Sequence, residues 1–123
     1  MTDAVQDQIK SEVEANPVVL YMKGTAQMPQ CGFSSKVAGV LNYMGVAFKD
    51  VNVLADDAVR EGIKQYSEWP TIPQLYVNGE FVGGCDIIVE MTLSGELDEL
   101  LENEGVAFDK AAAEKIREAN QPA

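Results

Sequence analysis

The order of the apolar segments is the feature that most limits what this chain can form. The run Val18–Met22 is bounded by Pro17 and Gly24, which is typical of a short buried strand. Apolar side chains then recur at helical spacing up to Gly45, and residues 46–53 read as a second strand. A strand, a helix and a second strand in this order predict a βαβ unit with parallel strands and a right-handed crossover.

A second constraint is the dipeptide Asn78-Gly79, the strongest short signal for a β-hairpin. It joins a strand predicted at Gln74–Val77 to one predicted at 81–83. Helical periodicity adds a helix before the βαβ unit, one before the hairpin, and closing helices that end near Gly105. The predicted fold class is α/β: a thioredoxin fold whose four-stranded mixed sheet (βαβ plus ββα) is flanked by helices.

The length of 123 residues suits one domain with a modest core. We assign residues 1–105 to that domain. Residues 106–123 are rich in alanine and charge, and we expect a C-terminal tail that is helical or disordered.

Charge and hydropathy exclude several classes of partner. A formal net charge of −11 disfavours nucleic acid and anionic membrane surfaces. No apolar run approaches the roughly eighteen residues that a membrane-spanning helix needs. The first fifteen residues mix acids with isolated apolar side chains, unlike a signal or transit peptide, so we expect a cytoplasmic protein.

The chain contains two cysteines and no histidine. The missing histidine removes the commonest general base and metal ligand, so chemistry must use sulfur, carboxylate or lysine. In a reducing compartment both cysteines are expected as thiols.

Cys31 lies where the first strand meets the following helix. Unpaired backbone N–H groups and the helix dipole lower the pKa of a thiol at such a place, and Lys23 adds a positive charge nearby. The alternative is an ordinary small core cysteine. Ser34 stands where a resolving cysteine would be, so the site is monothiol and cannot close its own local disulfide.

Residues 69–73, Trp-Pro-Thr-Ile-Pro, precede the hairpin. In this fold Pro73 is expected opposite Cys31 and in the cis form. The backbone N–H and C=O of Ile72 would then be free to pair with an extended peptide. An ordinary loop with two prolines is the alternative.

The segment Gly83-Gly84-Cys85-Asp86 joins a strand to a helix. Its glycines admit a ligand close to the backbone, and the helix N-terminus can receive a carboxylate. We predict that Asp86 caps that helix, holds a ligand's ammonium group, or does both. Cys85 either packs beneath the turn or takes part in the chemistry.

Only nine residues are basic, so their positions matter. Lys23, Arg60 and Lys64 are predicted around one pocket, and the last two share a helix face because they are four residues apart. Convergence on one thiol favours carboxylate binding over the alternative of simple solvated charges.

Four motifs in this order resemble the monothiol glutaredoxins of the Cys-Gly-Phe-Ser type, over about residues 5–101. They are Met22-Lys23-Gly24, Pro29-Gln30-Cys31-Gly32-Phe33-Ser34, Trp69-Pro70-Thr71-Ile72-Pro73-Gln74 and Gly83-Gly84-Cys85-Asp86. The resemblance implies non-covalent glutathione binding and a 2Fe–2S cluster shared by two protomers, with Cys31 as catalytic thiol and cluster ligand. It implies BolA-like proteins and acceptor apo iron–sulfur proteins as partners. The glutathione contacts implied are Lys23, Arg60, Lys64, Thr71, Ile72, Cys85 and Asp86.

The ligand count agrees with that resemblance. A 2Fe–2S cluster ordinarily takes four ligands, usually thiolates, and one chain offers a single well-placed one. Two chains and two glutathione thiols complete the set, which predicts a homodimer when loaded and a function in cluster storage and transfer. One rival is a glutathione-dependent oxidoreductase that acts through Cys31, and the other is an interaction module with a vestigial thiol. The seven residues between Lys23 and Cys31 favour the carrier over the oxidoreductase.

Overall fold

A computed structural model describes residues 4–120. The elements follow one another as helix, βαβ, helix, hairpin and closing helices. Their bounds are α1 (Ala4–Ala15), β1 (Val18–Met22), α2 (Gly32–Tyr43), β2 (Lys49–Asn52), a 3-10 turn (Val53–Ala55), α3 (Asp57–Ser67), β3 (Gln74–Val77), β4 (Glu80–Gly83), α4 (Cys85–Ser94), α5 (Glu96–Asn103) and α6 (Lys110–Ala119).

The four strands form one mixed sheet in the order β2-β1-β3-β4. β1 is parallel to β2 and antiparallel to β3, and β3 pairs antiparallel with β4. The hairpin turn residues Asn78 and Gly79 both have positive φ, 48° and 84°, as the tight turn of this kind requires. The thioredoxin fold predicted from the order of the segments is confirmed.

β1 is buried on both faces because helices cover each side of the sheet. Successive residues of a strand point to opposite faces. Leu20 and Met22 therefore join the core formed with α2, α4, α5 and α6, whereas Val19 and Tyr21 join the core formed with α1 and α3. The C-terminal end of this inner strand leads directly into the loop that precedes Cys31.

The second strand is shorter than the predicted 46–53. β2 lies at the edge of the sheet and pairs with β1 alone. Val46 is buried and Phe48 half-buried because both pack on the core from the loop before the strand. The burial of Val46 and Phe48 agrees with their apolar character, but only residues 49–52 of the predicted strand pair with β1.

The tail segment packs against the rest of the domain. Asp109 caps α6 by accepting the Ala112 N–H at 3.1 Å, and Ala113 is fully buried in the core. Arg117 donates to Asp98 at 2.9 Å, which ties α6 to α5. The sequence left open whether residues 106–123 are helical or disordered, and a packed helix is present at Lys110–Ala119. Residues 121–123 lie outside the described range.

Two helix ends lie at residues of the types that commonly begin or end helices. Asp56 caps α3 by accepting the N–H groups of Ala58 at 3.0 Å and Val59 at 3.4 Å. Gly45 follows α2 with φ 70°, at the position predicted to end that helix. Within residues 4–120 no helix combines the length and the apolar character that crossing a membrane demands.

Candidate functional site

Cys31 occupies the N-cap position of α2, between the loop after β1 and the helix. Its backbone is extended, with φ −153° and ψ 136°, so the chain turns into the helix immediately after it. Its carbonyl accepts the Ser35 N–H at 2.8 Å, which begins the hydrogen-bond ladder of the helix. The thiol is free and partly exposed. An accessible sulfur thus lies at the positive end of a helix.

The surroundings of the Cys31 sulfur favour its thiolate form. The backbone N–H of Ser34 is the main cause, and the Phe33 N–H, the charge of Lys23 and the Ser34 hydroxyl act in the same direction. Partial burial opposes them, yet the pKa of the Cys31 thiol is held below its ordinary value. The neutral thiol makes no capping hydrogen bond. The N–H groups act on the anion, since a charged sulfur is the stronger acceptor.

Ser34 joins the end of β1 to the first turn of α2. Its side chain is fully buried, and its Oγ accepts the backbone N–H of Lys23 at 3.0 Å. A thiol would be a weaker acceptor at this point. The serine therefore holds Lys23 in place beside Cys31, a role that the sequence interpretation did not assign to it.

The loop of residues 24–30 is fixed to the edge strand β2. The Gly24 N–H donates to Asn52 Oδ1 at 2.9 Å, and the Ala26 N–H donates to Asp50 Oδ2 at 2.8 Å. Gly24 has φ 87°, and a Cβ there would lie 2.5 Å from a backbone carbonyl oxygen of the same loop. These constraints position the approach to Cys31.

A cavity of about 460 Å³ opens beside Cys31, within the size range of small-molecule sites. Its wall comes from the end of β1, the start of α2, the end of α3, the segment before β3 and the start of α4. The lining residues are Lys23, Cys31, Phe33, Lys64, Trp69, Pro70, Thr71, Ile72, Pro73, Gly84, Cys85, Asp86 and Ile87. The charged groups among them are two lysines and one aspartate.

Residues 69–73 form one side of this cavity. The Ile72–Pro73 peptide bond is cis, as the sequence predicted. Ile72 makes no backbone hydrogen bond with any other described residue, and its side chain is buried in the core beneath. Its N–H and C=O remain available to an extended ligand.

Cys85 is the first residue of α4 and lies in the same cavity wall. Burial is the main reason that the pKa of the Cys85 thiol is raised, and the charge of Asp86 adds to it. The charge of Lys36 acts in the opposite direction. We therefore expect the Cys85 thiol to be the less reactive of the two.

The glutaredoxin family model matches residues 18–82 of this chain. The chain belongs to the glutaredoxin family. It is 55% identical over 102 residues to an uncharacterized monothiol glutaredoxin of Synechocystis, a match that covers 83% of this chain and 95% of the relative. This similarity and the Cys-Gly-Phe-Ser site place it among the monothiol glutaredoxins.

Solved structures of glutaredoxins share the fold. A monomeric truncated mutant of Trypanosoma brucei 1-C-Grx1 is 37% identical with a TM-score of 0.78, over 87% of this chain and 97% of that one. The holo form of glutaredoxin C1 from Populus tremula x tremuloides is 27% identical with a TM-score of 0.74, over 83% of this chain and 99% of that one.

Asp86 does not cap α4 in this glutaredoxin, contrary to one of the two roles predicted for it. The helix begins one residue earlier, at Cys85, and Gly84 is its N-cap with no side chain to bond. The Asp86 carboxylate consequently lies in the first helical turn and in the cavity wall. Its role as the partner of a ligand's ammonium group stays a prediction.

Lys23 and Lys64 line the cavity and Arg60 is not among the lining residues, so the shared pocket stays a prediction for Arg60. Residues four apart share a helix face but lie one turn, about 6 Å, apart along the axis. Only Lys64, nearer the end of α3 that leads to residue 69, reaches the wall. The Nε of Arg60 is buried and has no hydrogen-bond partner within residues 4–120.

Phe33 and Ile87 are among the lining residues to which the sequence interpretation gave no part in the site. Each is an exposed apolar side chain in the first turn of a helix, with 63% and 36% of its surface accessible. Their positions outside the core-facing stripe of each helix were the available signal. With Trp69 they give the cavity an apolar rim, which we call the rim below.

Proposed function

We propose that this monothiol glutaredoxin binds glutathione in the cavity beside Cys31 and carries a 2Fe–2S cluster between two protomers. The carried cluster is stored and passed to acceptor apo iron–sulfur proteins. One observation carries the proposal: the thiol whose pKa is lowered lies in the wall of a cavity that also contains two lysines and an aspartate.

The charges of the cavity wall match those of glutathione. The tripeptide has two carboxylates, one ammonium group and a thiol. Lys23 and Lys64 suit the carboxylates, and Asp86 suits the ammonium group. The free backbone N–H and C=O of Ile72 suit an extended peptide, which would leave the ligand's thiol near Cys31.

The metal ligands that one protomer offers fit a cluster shared between two protomers better than a cluster held by one protomer alone. Among residues 4–120 no three or more His, Cys, Asp or Glu side chains are grouped to hold a metal ion. Cys31 is accessible and favours the thiolate, whereas the pKa of Cys85 is raised. A four-thiolate set therefore draws Cys31 from each of two protomers and a thiol from each of two glutathione molecules.

Two of the four cluster ligands belong to glutathione molecules that are not covalently attached to the protein. Such a cluster is suited to transfer more than to permanent storage. The rim offers apolar surface next to the site for a second protomer or an acceptor. The proposal extends to a BolA-like partner and a cytoplasmic location, with no nucleic acid and no membrane among its partners. A net charge of −11 agrees with the last two.

A second candidate function is the removal of glutathione from mixed disulfides, favoured by the partial exposure and lowered pKa of Cys31. The Cys31 thiolate would attack the glutathione sulfur, form a Cys31–glutathione disulfide and release the substrate as a thiolate. A second glutathione thiolate would then regenerate Cys31 and leave as glutathione disulfide.

Anaerobic reconstitution separates the two functions. The full chain is incubated with ferrous iron, sulfide and either reduced glutathione or a phosphine reductant without a thiol. We expect the absorption of a 2Fe–2S cluster and the mass of a dimer by sedimentation only with glutathione. Full cluster occupancy with the phosphine would contradict the four-thiolate model. Turnover of a glutathionylated peptide without any cluster formation would favour the oxidoreductase.

A further inference from the structure

A buried polar side chain lies behind the segment that forms one side of the cavity. Gln74, the first residue of β3, is fully buried. Its Nε2 donates to the carbonyl oxygens of Trp69 at 3.0 Å and Thr71 at 3.1 Å, and its Oε1 accepts the Tyr76 hydroxyl at 3.1 Å. Both amide hydrogens and the amide oxygen are thus used, as a buried amide requires.

These bonds act on the cavity wall although Gln74 does not line the cavity. Trp69 and Thr71 both belong to the wall, and their carbonyls are held toward Gln74. Ile72 follows directly, and its backbone groups make no hydrogen bond with other described residues. The amide therefore fixes which backbone groups of the segment point inward and which remain available to a ligand.

Tyr76 holds the amide from the other side. It lies two residues along the same strand and on the same face as Gln74. Its ring packs 5.7 Å from that of Tyr21 in an edge-on arrangement and 6.0 Å from that of Tyr66. Burial raises the pKa of Tyr76 to about 12, so its hydroxyl remains a donor.

We propose that Gln74, oriented by Tyr76, is a positioning residue for glutathione binding, acting through the backbone of residues 69–72. The inference rests on the proposed function, because that segment is part of the proposed glutathione site. The amide bonds to the segment and to one hydroxyl, so its removal changes the shape of the site more than the packing of the core.

The replacement Gln74→Glu provides a test with a pH signature. The introduced carboxyl is buried beside two carbonyl oxygens, so its pKa is raised. When protonated it donates to one of these carbonyls; when ionised it repels both. Glutathione affinity, relative to wild type at the same pH, should fall as the pH rises from 5 to 8, by about tenfold.

The other ionisable groups around this position are the same in wild type and variant. Around it stand the phenols of Tyr76, of Tyr21 on β1 and of Tyr66 on α3. Burial raises the pKa of Tyr21 and Tyr76. The cavity wall contributes Lys23 and Lys64, and both lysines are present in wild type and variant. Gln8→Glu, which adds the same charge at an exposed position of α1, is the matched control.

Two further variants keep the test decisive if the charged one fails to fold. Gln74→Met removes every bond of the amide at similar volume, and we expect a loss of affinity of about three- to tenfold that does not vary with pH. Tyr76→Phe removes only the hydroxyl, with a loss of about twofold. Heteronuclear NMR titration of the full chain with reduced glutathione gives each affinity.

Trp69 supplies an independent readout because it is the only tryptophan in the chain. Its carbonyl accepts from Gln74, so its fluorescence should change with pH in Gln74→Glu but not in Gln8→Glu. Wild-type affinity in folded Gln74→Met and Tyr76→Phe would overturn the positioning role alone. A wild-type chain that binds no glutathione would overturn the proposed function and this inference with it.

Discussion

Cys31 and Cys85 lie in the wall of the same cavity and at the start of a helix, yet their pKa values move in opposite directions. Cys31 is the N-cap of α2, so the N–H groups two and three residues later, those of Phe33 and Ser34, act on its sulfur. Cys85 is one residue further in, within the first turn of α4, where burial and the charge of Asp86 oppose ionisation.

The difference shows that proximity to a helix N-terminus does not activate a thiol by itself. A shift of one residue decides whether the sulfur receives the free N–H groups of the first turn. Neighbouring charge then reinforces the result: Lys23 stands beside Cys31, and Asp86 stands beside Cys85. The two thiols should accordingly behave as a reactive group and a supporting one.

The largest expected effect comes from removing each thiol in turn. Cys31→Ser should abolish 2Fe–2S binding, because the remaining thiol, Cys85, has a raised pKa and favours its protonated form. Cys85→Ser should retain at least about half of the wild-type cluster content, since its sulfur favours the thiol. Cluster absorption per protomer after anaerobic reconstitution measures both. An equal loss of cluster in the two variants would contradict the proposed difference between the two thiols.

The next effect concerns the charge beside each thiol. Lys23→Glu should raise the pKa of Cys31 and weaken glutathione binding about tenfold at low salt, an effect that shrinks as added salt screens the charges. Lys115→Glu makes the same charge change on an exposed face of α6 and serves as control. A titration in which the two variants bind equally well would remove Lys23 from the site.

A smaller effect separates the backbone of Ser34 from its side chain. Ser34→Ala leaves the Lys23 N–H without its acceptor and should lower the free energy of unfolding by about 1–2 kcal/mol. The pKa of Cys31 should change little, because the backbone N–H of residue 34, the main cause of the shift, remains. Ser35→Ala, exposed in the same turn, is the control, and urea unfolding measures the difference. A large rise of the Cys31 pKa in Ser34→Ala would instead make the hydroxyl its main cause.

The smallest effect is the pH dependence of stability. The folded pKa of Cys31 is lowered, so its contribution to stability is present above the unfolded pKa and is lost as the pH falls through the folded one. The folded pKa of Cys85 is raised, so its contribution is lost as the pH rises through the folded pKa. As the pH rises from 6 to 10, the free energy of unfolding of Cys31→Ser should fall relative to wild type. That of Cys85→Ser should rise relative to wild type. Urea unfolding under a reductant checks the two signs, and parallel curves would contradict them.

Much of the fold was accessible from the sequence because local signals and burial agree there. β1 and β3 were predicted at their observed bounds, since each is a short apolar run with a turn signal beside it. β2 was overestimated because an apolar run next to an edge strand packs on the core without strand pairing. The packing of α6 was not visible, since the sequence does not show which core residues the buried Ala113 and the partly buried Ile116 meet.

The site was less predictable than the fold, for a related reason. The pattern located Cys31 and the segments that surround it, because each lies at the junction of two elements. It did not predict which residue begins α4, and this decided whether Asp86 caps the helix or faces the cavity. Nor did helix periodicity reveal how far along α3 the cavity extends, which separates Arg60 from Lys64. Both depend on tertiary placement.

The difference between the two thiols is tested most directly by the pH dependence of their alkylation. Iodoacetamide rates for Cys85→Ser report Cys31, and those for Cys31→Ser report Cys85. We predict a midpoint below the ordinary thiol value of about 8.5 for Cys31 and above it for Cys85. Coincident midpoints, or a lower midpoint for Cys85, would contradict the assignment of Cys31 as the activated sulfur of this glutaredoxin.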